Sequence, residues 1–131
     1  MTPGSIVRYR NFQFHDGDHA DKLLIVLNSG GKVPYLVLRT TSRQKAARLA
    51  NEGCHAKEGY YFLPAKRDNF PKDTWILLYE PYELNAAELI KAHFGGDAEL
   101  IGQLKPELLR AIINCFKKSD DCSAYYDSLL R

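Results

Sequence analysis

Lys22 to Asn28 reads KLLIVLN, an unbroken aliphatic run between polar ends. It is too short for a helix of ordinary length and far below the roughly 20 apolar residues a membrane span needs. It has no polar alternation, so it reads as a central β-strand buried on both faces. The SGGK that follows is a turn. Beyond it VPYLVLRTT, Val33 to Thr41, is a second strand, with Pro34 confined to its start because proline cannot donate to a ladder. Upstream, SIVRYR, Ser5 to Arg10, reads as a half-buried strand entered through Gly4. Three successive strands joined by a polar loop and a Gly-Gly turn make an antiparallel meander.

Further along, SRQKAARLANEG, Ser42 to Gly53, has a capping serine, helix formers and a terminal glycine, which predict a short surface helix. GYYFLPA and TWILLYEPYEL return to strand chemistry, the second with a bend at Pro81. NAAELIKAHFGG is a helix capped by Asn85, AELIGQL is a candidate strand, and KPELLRAIINCFKKS is an amphipathic helix with Leu108, Leu109, Ile112, Ile113 and Phe116 on one stripe. SDDCSAYYDSLLR, with Ser119 as its cap and two first-turn acids, predicts a last helix. The fold expected is α+β: one domain over residues 1–131, a small curved antiparallel barrel or sheet with a short surface helix and C-terminal helices. The aromatics Tyr60, Tyr61, Phe62, Trp75, Tyr79 and Tyr82 exceed what one small core needs, which leaves some for an interface between subunits.

With 131 residues, 45% of them apolar, the chain suits a single core. It shows neither a membrane span nor a basic-then-apolar secretory signal, so a cytoplasmic protein is expected. Cys54, Cys115 and Cys122 are odd in number and lack C-x-x-C spacing; they read as reduced thiols, with no zinc finger. The net charge of +2 hides an asymmetry. Arg39 to Arg67 holds seven basic residues against two acidic, a balance of +5, and Tyr79 to Glu107 holds two against six, a balance of −4. Clustered cations beside an acidic flank are compatible with a polyanionic ligand.

Chemistry concentrates just before the central strand, in FQFHDGDHADK. Such a segment is a metal site, a catalytic loop or a solvated turn. His15 and His19 with Asp16, Asp18 and Asp21 offer nitrogen and oxygen ligands, but the spacing is not that of a tight site, and no metal or cofactor is expected.

Taken in order, PGSIVRYRNFQFHDG, KLLIVLN, PYLVLRTTSR, TWILLYEPYEL and IGQLKPELLRAIINCF resemble the PemK/MazF family of toxin endoribonucleases. Gly4, Ile6 and Val7 match the first strand, Phe12, Phe14, Asp16 and Gly17 the loop, and Thr41-Ser42 the position of the family's catalytic threonine. The family's catalytic arginine is not matched; Lys22 stands nearest its place, and Tyr82-Glu83 replaces an Arg-Thr pair. The resemblance implies an SH3-like barrel that cleaves single-stranded RNA without metal, by attack of a ribose 2′-OH on the adjacent phosphate. It implies a homodimer and a cognate antitoxin protein that covers the RNA groove. The step needs a proton acceptor, a proton donor and cations for the transition-state charge. His15, Lys22 and Thr41 are the catalytic candidates, and Asp16, Arg39, Ser42, Arg43 and Glu80 the RNA-binding ones. The alternative is a non-catalytic module of the same fold, either an inactive relative or a binder of a protein target such as gyrase.

Overall fold

The computed structural model describes residues 1–42, 51–68 and 70–130. Its strands are β1 (Ser5–Gln13), β2 (His19–Val26), β3 (Tyr35–Thr41), β4 (Gly53–His55), β5 (Tyr60–Leu63), β6 (Thr74–Leu77), β7 (Tyr82–Leu84) and β8 (Ala98–Gln103). Its helices are α1 (Ala86–Phe94), α2 (Pro106–Lys118) and α3 (Ala124–Leu129). The expected helix over Ser42–Gly53 falls largely outside the described residues.

The meander is present, with β1 against β2 and β2 against β3, both antiparallel. The eight strands form one sheet in the order β4-β5-β6-β3-β2-β1-β8, with β7 sharing the β3 edge that β6 also uses. The sheet is open: β4 and β8 are its edges, so the closure expected of a barrel is not found. β6 and β7 can share one edge because the chain breaks between them at Tyr79-Glu80-Pro81, where Glu80 takes φ 54°. Proline cannot extend the ladder there, and the left-handed residue before it turns the chain.

The central strand is covered on both faces, as its apolar run requires. Ile25 and Leu27 join a core with Leu36, Leu38, Ile76, Ile112 and Phe116 beneath α2 and α3. Leu24 and Val26 point the other way, to Val37, Phe12, Tyr82 and Leu89 of α1. The alternation of side chains along β2 therefore feeds two cores from one strand. Asn85 caps α1 by accepting from the Ala87 N–H at 2.8 Å, and Pro106 opens α2. The last helix starts later than expected. Ser119 closes α2, its N–H donating to the Phe116 carbonyl, and the side chain of Ser123 caps α3 by accepting from the Tyr126 N–H at 3.1 Å.

A further expectation is corrected. Cys54 on β4 and Cys115 on α2 form a disulfide across a sequence separation of 61, and Cys122 alone keeps a free thiol. Spacing gave no sign of the pair because the fold, not the sequence, brings the two Cα atoms to 5.5 Å. Of the aromatics expected to leave some for an interface, Tyr61, Phe62, Trp75 and Tyr82 are buried, Tyr60 is half-buried and Tyr79 is exposed; Ile90 and Phe94 on α1, Leu100 on β8 and Tyr125 on α3 are exposed as well. No described helix is long and apolar enough to cross a membrane.

Candidate functional site

The site grows from the register of β2 and β3. Leu24 pairs with Arg39, and the Thr40 hydroxyl donates to the Leu23 carbonyl at 2.9 Å. Because side chains alternate along a strand and ladder partners share a face, Lys22, Arg39 and Thr41 lie with Leu24 and Val37 on the α1 side of the sheet. Trp75 joins them as the partner of Thr41 on β6. Two cations thus enter a region where the apolar α1 core ends.

Arg39 is held by rings. Its guanidinium carbon lies 5.1 Å from the centroid of Phe14 and 5.7 Å from those of Tyr79 and Tyr82. Contacts of this kind attract a cation to the ring face and keep the side chain extended. Nη2 also meets the Glu80 carboxylate at 3.3 Å. The Arg39 side chain is only 14% exposed, yet its Nε, like the indole N–H of Trp75, is buried with no hydrogen-bond partner among the described residues. Unmatched buried donors are uncommon and unfavourable. Both lie on the face that carries Lys22.

Lys22 has no ion pair among the described residues. Burial, and after it the positive charge of Arg39, holds its ammonium below the ordinary lysine pKa. A half-buried lysine beside a second cation, with no counter-ion, is a position that an anion would relieve. It also lines a pocket of about 370 Å³ with Thr41, Ser42 and Lys72.

His15 is placed by Tyr82: the rings stack at 4.0 Å with 8° between planes, and the His15 backbone N–H donates to the Tyr82 hydroxyl at 3.2 Å. Since Tyr82 also flanks Arg39, His15 borders the same cluster. Asp16 does not join it; its carboxylate accepts from the Asp18 N–H at 2.9 Å and shapes the exposed turn. Arg43 lies outside the described residues. The structure therefore brings together Lys22, Thr41 and Ser42 in one pocket and joins Arg39, Glu80 and His15 to Lys22 through Arg39 and its rings. Among the described residues of the +5 segment, Arg39 turns to Glu80 and Arg67 to Glu52. Sequence reasoning passed over Phe14, Tyr79 and Trp75 as site residues; alternating aromatics beside a lone strand arginine were the available signal. No family model matches the chain, and no curated protein matches it.

Proposed function

We propose that this protein is a toxin-like endoribonuclease of the PemK/MazF type, which cleaves single-stranded RNA without metal on the α1 face of its sheet. The observation that carries the reading is the pair of neighbouring cations, Lys22 without an ionic partner and Arg39 with its buried Nε unmatched, beside Thr41. A phosphodiester supplies the missing negative charge. In the step proposed, a ribose O2′ attacks its own 3′-phosphorus and the P–O5′ bond breaks, leaving a 2′,3′-cyclic phosphate and a 5′-hydroxyl. Lys22 and Arg39 offset the charge gathering on the phosphoryl oxygens, Thr41 and Ser42 donate to them, and His15 moves the proton. Lysine offers a point charge where arginine would offer a fork, so Lys22→Arg should keep or raise the rate.

On this reading the open sheet is an SH3-like core extended at its edges by β4 and β8. The exposed Ile90, Phe94 and Leu100 support a homodimer, and the cationic groove suits an antitoxin bearing an acidic segment. A second reading has its own support: Arg39 is already engaged by Glu80 and three rings, which suits a non-catalytic binding module.

The two are separated by incubating purified protein with mixed-sequence RNA in EDTA and mapping the ends. Cut ends carrying 2′,3′-cyclic phosphate, lost when the ribose before the cut is 2′-deoxy, are expected of the nuclease. RNA intact across all sequences would overturn it.

A further inference from the structure

One edge of the sheet is long and unguarded. β8 pairs with β1 on its inner side and has no strand on its outer side among the described residues. Its ladder runs past the strand ends, from the Arg10 N–H on the Asp97 carbonyl at 2.7 Å to the Leu104 N–H on the Gly4 carbonyl at 2.9 Å. Proteins keep such edges from pairing with proline, with lysine or by making them short. β4, the opposite edge, has three residues, whereas β8 has six and holds neither proline nor lysine. A bulge at Ile101, where the β1 partners pass from Ile6–Gly102 to Val7–Leu100, adds twist and leaves the outer side unpaired. Four of the seven exposed large apolar side chains among the described residues stand here. Leu100 and Ile101 are on the strand itself, and Ile90 and Phe94 of α1 share a cleft of about 410 Å³ with Leu100.

The charges along the edge say what fits it. Asp97 to Lys105 reads DAELIGQLK, acidic at one end and basic at the other with Ile101 at its centre. Neither Asp97 nor Lys105 has an ion pair among the described residues. A strand of opposite charge order lying antiparallel to this one is a second copy of the same strand.

We propose that β8 pairs antiparallel with β8 of a second copy about a two-fold axis at Ile101, so that Asp97 of each copy meets Lys105 of the other. Glu99 then faces Gln103 and Leu100 faces Gly102, and no like charges oppose one another. An antiparallel pair has its two-fold axis perpendicular to the sheet, so both α1 helices, and both Lys22–Arg39 clusters, lie on one side of a continuous sheet. Ile90, Phe94 and Leu100 of the two copies gather over the seam. This rests on the homodimer named above and gives it a geometry; the RNA step is independent of it.

The test uses the full chain in sedimentation equilibrium and in cysteine cross-linking. Asp97→Lys or Lys105→Asp alone sets like charges against each other twice in every dimer and should weaken association about tenfold, while the double exchange should restore it. In a Cys122→Ser background, Ile101→Cys should form a dimer on mild oxidation, because on the axis it faces its own counterpart. Glu99→Cys should not, being roughly 13 Å from its counterpart and beyond disulfide reach. Circular dichroism matching the parent shows that each variant is folded. A parent monomeric at every concentration overturns the proposal, as does a dimer that the double exchange fails to restore or that cross-links at position 99 as readily as at 101. None of these outcomes bears on RNA cleavage, which the EDTA assay reads separately.

Discussion

The two faces of the sheet are built from the same strands and do different work. Under α2 and α3, the buried strand residues that point inward are apolar or, like Thr40 and Thr74, have a hydrogen-bonded hydroxyl, and a disulfide ties the edge strand β4 to the helix above it. Under α1 the apolar core stops partway. Beyond Leu24 and Val37 the same face carries Lys22, Arg39 and Thr41, with a lysine lacking an ionic partner and an arginine Nε lacking a hydrogen bond among the described residues. Burying such groups opposes folding, and proteins retain them where a ligand is to supply the missing partner. The sealed face holds the fold; the interrupted one carries the candidate site.

The contrast breaks most visibly on the sealed side. Phe116 is fully buried at the centre of the α2 core, so Phe116→Ala should cost about 3–5 kcal/mol in urea unfolding. A loss below about 1 kcal/mol would mean that α2 does not seal that face. Reducing the Cys54–Cys115 link should cost roughly 4 kcal/mol, since it closes a long loop in the unfolded chain. Unfolding with and without dithiothreitol reads this directly, and an unmoved midpoint would show that β4 is not tethered. On the interrupted side the effects on stability are small. Glu80→Gln removes a partner of Arg39 that is about half exposed, so stability should change by less than about 1 kcal/mol. RNA affinity should rise as the guanidinium is released and a negative charge is lost; weaker binding would show that Glu80 positions Arg39 instead of competing for it.

Much of this was legible before the structure. The run Leu23 to Leu27 announced a strand buried on both faces, and the stripe from Leu108 to Phe116 announced α2, because periodicity and apolar length are local properties. Lys22 and Thr41 were singled out as candidates by their order along the chain, and the structure brings them to one pocket. The surroundings of Arg39 were not: its rings come from the β1–β2 loop, the Tyr79 bend and β7, and only the pairing of β7 with β3 brings them together. The same reason hid the disulfide, whose halves lie on an edge strand and a late helix. The start of α3 was misplaced because Ser119 has a cap's chemistry, yet which serine starts a helix depends on where the preceding helix ends, and here Ser119 closes α2 and Ser123 caps α3.

Lys22→Met in the purified protein, with melting temperature and RNA cleavage measured on the same sample, tests the division between the faces most directly. The folded pKa of Lys22 lies below its unfolded value, so between those two values the unfolded chain binds more protons and stability rises with pH. Below both values, the parent carries the full penalty of the half-buried charge. Methionine removes that penalty, so the melting temperature should hold or rise slightly at pH 7, with the advantage shrinking as the pH climbs toward the lysine range, while cleavage falls sharply. A variant that melts lower and cleaves RNA as fast as the parent would contradict the assignment, placing Lys22 among the residues that hold the fold.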